Sequence, residues 1–387
     1  VGGVNVFERA DNGGESLTLS NAANETVWLR SNDTEFSDPQ TANTVFELLV
    51  KLHSGPDTHE VYDPVLLNNL EQALAILRLW WPDANTVELR QGPVRDQAHA
   101  QQSKPETART ACFFTGGVDS FYSLISNIDE VTDIVYVHGF DVKLSDLELR
   151  QQVSNSLNKV AEYFDINLIQ IESNLREVLD QFRGWSDTHG AALAIVGHLL
   201  PSDIGKIIIP SSDSYLDLPP WGSHPLLDKL WSSSERAFHH DGCEKRRIEK
   251  IEEICKESVV LETLRVCWQH YDEAYNCGRC EKCQRTMISL RIVGQLEHCS
   301  TFDKPLILPE VAALDYLNSD QGAYLKENLW YLQKYGDDPD LEKVLRSLLK
   351  PKNALQKAAI QIRRAAAQPN RILPALRKRI YQERSNA

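Results

Sequence analysis

A series of short apolar segments separated by helical ones, between residues 111 and 210, constrains this chain most. Ala111 to Phe114, Ile134 to Val137, Ile166 to Ile171 and Lys206 to Pro210 are each too short for a helix and rich in strand-forming residues. Between them, Asp119 to Ile128, Ser145 to Tyr163 and two stretches from Asn174 to Leu200 read as helices. The second of these repeats Leu147, Val153, Leu157 and Val160 at helical spacing. Strands buried on both faces and joined through helices make a parallel sheet with helices on both sides. Such a sheet binds ligands beyond the carboxyl ends of its strands.

The flanks differ. Ser16 to Ser20 and Glu25 to Arg30 alternate apolar and polar residues between Asn, Asp and Gly, which predicts half-buried antiparallel strands. Pro64 to Trp81 fits an amphipathic helix stopped by Pro82, with Trp80 and Trp81 as core or domain-contact residues. The polar stretch from Gln91 to Thr107 reads as a linker. The expected domains are therefore an α+β cap over 1–100, the α/β domain over 106–300 and a helical extension over 301–387. No apolar run reaches the roughly 18–20 residues of a membrane span. Val1 to Asn5 has neither a basic start nor an apolar run, so a cytoplasmic protein is expected. The net charge of -14 disfavours a surface built wholly for nucleic acid. Yet Lys350 to Arg384 carries ten Lys or Arg residues against the single acid Glu383. That tail is either a solvated or internally paired face, or a contact for an acidic partner such as RNA, a carrier protein or a membrane surface.

The first apolar strand runs into Thr115-Gly116-Gly117-Val118-Asp119-Ser120, which opens a helix. Two glycines let an anion approach main-chain amides, the helix start adds free N–H groups, and Thr115 and Ser120 supply hydroxyls. Asp119 repels phosphate, so it is either a first-turn helix residue or an indirect ligand through Mg²⁺. No Gly-Lys-Ser/Thr follows, which excludes a Walker A loop. The string resembles the S-G-G-x-D-S signature of the PP-loop ATPases, also called N-type ATP pyrophosphatases, with Thr115 in place of the first serine. The resemblance implies a Rossmann-like fold, ATP as co-substrate and a loop that holds departing pyrophosphate. It also implies adenine binding along the end of the second strand, at Val137 and His138, with Asp141 nearby. A structural histidine is the alternative reading of His138.

Eight cysteines without a secretory signal read as reduced thiols or metal ligands. Cys277, Cys280 and Cys283 follow CxxCxxC spacing with Cys267 ten residues upstream, which suits a closed Cys₄ zinc site of structural type. An iron–sulfur cluster is the rival, although the ferredoxin pattern needs a fourth cysteine where Met287 stands. Cys112, Cys243, Cys255 and Cys299 read as isolated buried or surface thiols. A PP-loop followed by C-x9-C-G-x-C-x-x-C and Gln284-Arg285 resembles the 7-cyano-7-deazaguanine synthase family over Thr110 to Leu296, about half the chain. That resemblance implies ATP-dependent adenylylation of a carboxylate followed by attack of ammonia, giving an amide and then a nitrile, on a sheet with a zinc-bearing helical end. The N-terminal segment and the basic tail are additions to the family pattern, and no deazapurine-recognition segment is matched.

Further candidates lie after the fourth strand. Ser211 and Ser212 can orient substrate or phosphate, and Asp213 can do the same or cap a turn. Trp221 to Asp228 reads as a shaped loop whose His224 and Asp228 bind substrate or act as acid and base. His189, at a helix start, meets an anion or caps the helix. Of the cations near residue 247, Arg247 or Lys250 is expected to reach the phosphates, the alternative being a solvated face. The expected function is adenylylation of a small-molecule carboxylate or carbonyl oxygen with ammonia or an amine as donor, using ATP, Mg²⁺ and Zn²⁺, with a homodimer as the assembly. The alternatives are sulfur transfer to tRNA or a metabolite, and a nucleotide-binding interaction module without catalysis.

Overall fold

The computed structural model describes residues 6–9, 15–20, 26–55, 57–93, 108–312 and 319–350. The basic tail beyond Lys350, Val1 to Asn5 and most of the expected linker lie outside the described residues. Strands β1 (Val6–Arg9), β2 (Glu15–Ser20) and β3 (Thr26–Ser31) form an antiparallel meander. Helix α1 (Gln40–Ser54) follows, then β4 (Asp57–Val61), α2 (Pro64–Trp80) and β5 (Val87–Gln91), with β4 and β5 paired in parallel across α2. Asp63 starts α2 by accepting from the Leu66 amide at 2.7 Å, and Pro64 occupies the first turn, where a missing N–H costs nothing.

The α/β part runs β6 (Arg109–Phe113), α3 (Val118–Ser126), β7 (Asp133–His138), α4 (Leu147–Phe164), β8 (Asn167–Ser173), α5 (Leu175–Phe182), α6 (Trp185–Leu199), β9 (Ile204–Pro210) and β10 (Ala237–Asp241). Five of these strands, β6 to β10, lie parallel in the spatial order β8-β7-β6-β9-β10. Side-chain alternation splits the core between two faces. Ala111 and Phe113 of β6 join α1, α2, α5 and α6 on one side, whereas Cys112 and Phe114 join α3, α4 and the later helices on the other. The chain is thus α/β, with a mostly parallel central sheet flanked by helices. After β8 the path returns to the far side of β6, so β6 and β9 diverge at a topological switch point, where this class of sheet opens a crevice.

Two features depart from the sequence reading. The meander of β1 to β3 is not part of a separate cap: β3 pairs antiparallel with β8, and Val27 and Leu29 share a core with Ile169 and Ile171. An otherwise bare strand edge is covered in this way. The fifth parallel strand, β10, was not anticipated, because Ala237-Phe238-His239-His240-Asp241 buries only Phe238 outright and lacks an apolar run. Beyond the sheet come α7 (Arg247–Ile254), α8 (Ser258–Thr263), α9 (Glu281–Ile292), α10 (Leu308–Ala312), α11 (Ser319–Tyr335) and α12 (Pro339–Leu348). Leu325, Leu332, Leu341 and Leu345 close a small third core against Ile288 of α9. Among the described residues no helix is long and apolar enough to cross a membrane.

Candidate functional site

The glycine loop occupies the turn between β6 and α3, on the switch point. Gly116 takes φ 73°, which a side chain would resist. Ser120 shapes the loop from within: its Oγ accepts from the amides of Thr115 (3.2 Å) and Gly117 (3.1 Å) and donates to the Gly117 carbonyl (3.0 Å). Thr115 Oγ1 lies 3.4 Å from the same hydroxyl, and Val118 is fully buried in the core beneath. The first amides of α3 have no acceptor within the helix and face the crevice end of the sheet.

Cations gather on this turn from three later elements. Arg247, on α7, donates through a terminal nitrogen to Asp119 Oδ2 at 2.6 Å. Lys250, one turn on, stands 3.6 Å from Asp119 Oδ1 and donates to the Ser211 carbonyl at 2.7 Å, tying the loop to the end of β9. Arg265 donates to the Thr115 carbonyl (3.3 Å) and to Asp141 (3.4 Å), while its own amide bonds the Gly116 carbonyl at 2.8 Å. Lys282, on α9, completes the ring. Burial together with the Arg247 and Arg285 charges pushes its ammonium pKa down. Burial works against the Asp119 charge, but Arg247, Lys250 and Lys282 outweigh it and hold the carboxyl below its usual range. Arg247 Nε and one terminal nitrogen, and Arg265 Nε, are buried without a protein acceptor. Buried donors of this kind suit an oxygen-rich anion.

The four cysteines position part of this ring. Sγ atoms of Cys267 and Cys280, and of Cys277 and Cys283, are 3.9 Å apart, and all four lie within 4.8 Å of one another. A tetrahedron with bonds of 2.3 Å puts its sulfurs about 3.8 Å apart, so the cluster can hold one metal ion. The amides of His270, Cys280 and Cys283 point at sulfurs of Cys267, Cys277 and Cys280, as thiolates require. Asn276 accepts from the Val266 and Cys267 amides and braces the hairpin. Arg265 precedes this cluster by two residues, and Lys282 and Arg285 lie beside its last two ligands. The knot therefore fixes the chain that delivers those cations.

On the other side of the switch point lie two joined chambers. The inner one, about 70 Å³, is lined by His189, Ser211, Ser212, Asp213, His224 and His240 among others. The outer one, about 250 Å³, shares Ser212, Asp213, Leu218 and Pro219 with it and is walled by Arg247, Tyr324 and Glu327. Tyr324, from α11, donates to Asp213 Oδ1 at 3.0 Å and lies under the Arg285 guanidinium at 3.9 Å. The expected residues Ser211, Ser212, Asp213, His189 and His224 thus share one cavity. Asp228 stands behind it, fully buried, bonded to Ser223 (2.6 Å) and to His240 Nδ1 (2.7 Å). His189 bonds the Trp185 carbonyl at 3.0 Å, and His224 accepts from the Leu226 amide at 3.1 Å. Burial lowers the pKa of both.

The candidates at the end of β7 have other partners. Val137 packs in the core, and His138 is engaged by Gln170 at 3.1 Å and Arg150 at 3.4 Å. Arg265, Lys282, Tyr324 and His240 carry no site role in the sequence reading, and Arg285 enters it only as part of the cysteine motif. Proximity to the cysteines is a usable signal for the first two. Nothing in the sequence marked Tyr324, and His240 sits on the strand that was overlooked. No protein-family model, curated protein or solved structure matches the chain.

Proposed function

We propose that the protein is an ATP-dependent enzyme of PP-loop type. It adenylylates a carboxylate or carbonyl oxygen of a small molecule, releases pyrophosphate, and lets ammonia or an amine displace AMP, in the manner of 7-cyano-7-deazaguanine synthases. The observation that carries this reading is the convergence of Arg247, Lys250 and Arg265 on the amide-rich turn after β6, with guanidinium N–H groups left unpaired. When the substrate oxygen attacks the α-phosphorus, the bond to the bridging oxygen breaks and its electron pair leaves with pyrophosphate. Fixed cations and helix amides stabilise the charge that builds there. The parallel strand order β8-β7-β6-β9-β10 supports the same reading, because this turn then lies beside the chambers at the end of β9.

Asp119 orients Arg247 through Oδ2 and faces Lys250 with Oδ1, an oxygen that has no hydrogen-bond partner and stays available to a cation that accompanies the phosphates. Magnesium accompanying ATP would be held chiefly by the phosphates, as is usual for this ion, and would neutralise their charge. Zinc is the ion we assign to Cys267, Cys277, Cys280 and Cys283. Sulfurs that bind separate irons of a cluster stand farther apart than sulfurs sharing one ion, and the close spacing favours the latter. With four thiolates the coordination is closed and the role structural.

Exchange of labelled pyrophosphate into ATP across a panel of small carboxylic acids tests the assignment. Wild type should exchange with at least one acid, and Asp119→Asn and Lys250→Met should abolish it. Unchanged exchange in both variants, or cleavage to ADP and phosphate, would overturn the reading.

A further inference from the structure

His240 is the least explained polar group at the site. Its ring is held from behind by Asp228 through Nδ1 at 2.7 Å, and Ser223 shares that carboxylate. The side chain is only 4% exposed, the Asp228 side chain is fully buried, and His240 Nε2 has no oxygen or nitrogen partner, its one polar neighbour besides Asp228 and Ser223 being the weakly hydrogen-bonding Cys243 thiol. The residue nevertheless lines the inner chamber. A hydrogen bond made through Nδ1 fixes what the other ring nitrogen offers. Burial opposes a charge on this imidazole, but hydrogen bonding and charge from Asp228, and after it from Cys243, prevail and raise its pKa to about 9, so both ring nitrogens carry protons at neutral pH. A buried N–H facing a cavity without an acceptor is costly unless something fills the space.

Size and charge limit the occupant. The inner chamber, about 70 Å³ and continuous with the larger outer one, has room for a small polar group such as a carboxylate. Around the His240 ring stand Asp228, Ser223, Cys243, His189 and His224. The two other histidines are held towards neutrality by burial. The remaining carboxylate on the wall, Asp213, receives the Tyr324 hydroxyl, which belongs to the outer chamber. The Ser211 hydroxyl accepts from the Cys243 thiol at 3.2 Å and donates to the Asp213 carbonyl at 2.8 Å, which leaves the Ser212 hydroxyl as the second polar group on the wall.

We propose that the inner chamber is a carboxylate site, in which His240 Nε2–H and the Ser212 hydroxyl receive an acidic group of the acceptor molecule while its remainder extends into the outer chamber. This rests on the reading of the switch-point crevice as the reacting site. It adds that the acceptor carries, besides the oxygen that is activated near Arg247 in the outer chamber, an acidic group that enters first, against a preformed histidine–aspartate pair. His240 is a binding residue in this scheme, separate from the pyrophosphate turn.

Acetate is the probe. In ring-labelled protein without ATP, the His240 signals, assigned by their loss in His240→Gln, should shift saturably with acetate at constant ionic strength set with chloride. Acetate binding read by competition or calorimetry should weaken roughly tenfold or more in His240→Gln, the loss expected for one charge-assisted hydrogen bond. Ser223→Ala, which leaves Nε2 in place, should still bind acetate. Absence of a saturable shift in wild type, binding undiminished in His240→Gln, or a response to ammonium and none to acetate would each overturn the proposal. Pyrophosphate titration separates the two ideas. Pyrophosphate bound equally by wild type and His240→Gln, with no acetate response, sinks the carboxylate site alone, whereas failure of wild type to bind pyrophosphate sinks the proposed function.

Discussion

Asp119→Asn probes the cation ring most directly. The carboxylate is 15% exposed and compensates Arg247 and Lys250, whose side chains are 4% and 1% exposed. Removing one member of a buried ion pair costs about 3–5 kcal/mol, because the stranded charge has lost both water and partner. Asparagine keeps the shape and one acceptor for Arg247, and Lys250 retains the Ser211 carbonyl at 2.7 Å. The cost should therefore fall near the lower end, about 3 kcal/mol. Urea unfolding of wild type and variant at pH 7 measures it. Because folding lowers the Asp119 pKa, its contribution is complete above the unfolded carboxyl value near 4 and disappears as pH falls through the lower folded value. The gap between the two proteins should be flat from pH 8 to about 5 and close below about 4. Pyrophosphate at a hundred times its dissociation constant adds about 2.7 kcal/mol to whichever form binds it, and should return most of the lost stability. A gap at pH 7 below about 1 kcal/mol, the range of an exposed ion pair, would refute the reasoning, as would one that persists unchanged at pH 3.

Three further outcomes are expected. Metal analysis should find one ion per chain. Its removal by a chelator, or Cys280→Ser, should weaken pyrophosphate binding roughly tenfold by releasing Arg265 and Lys282, and unchanged affinity in the metal-free, folded protein would contradict that link. Gly190→Ala would put a Cβ 2.1 Å from the Gly222 carbonyl oxygen and 2.9 Å from Asp228 Oδ1, so it should destabilise by about 1–3 kcal/mol and disturb the inner chamber. An unaltered melting temperature would count against the close contact of α6 with the loop. His198, bonded to the Trp231 carbonyl at 2.9 Å, has a pKa pushed down to about 3 by burial and stays neutral in the fold. Stability should therefore decline as pH falls from about 6.5 towards the folded value, and His198→Gln should flatten that slope. An identical slope in the variant would exclude His198 as its source.

Local chemistry alone made parts of the molecule legible. Apolar runs and helical spacing between residues 111 and 210 dictated parallel strands and their covering helices, since burial on two faces leaves no room for alternation. Gly116-Gly117 before a helix marked the turn proposed to bind an anion, and thiols at CxxCxxC spacing marked a cluster that the fold closes. Residues whose role depends on what stands opposite them could not be read. Arg265 and Lys282 join the cations around this turn only when the cysteine cluster folds their chain back onto Thr115 and Asp119, well over a hundred positions earlier. His240 acquires its character from Asp228 behind it and a cavity in front, and β10 exists only because β9 offers it an edge. The same holds at the N-terminus. Alternation in Ser16 to Ser20 predicted a half-buried strand, but only the exposed edge of β8 decided that its meander would extend the central sheet. Sequence fixes periodicity and backbone freedom, which act over a few residues. Charge compensation, strand partners and cavities are set by groups distant along the chain, and the tertiary fold alone brings those together.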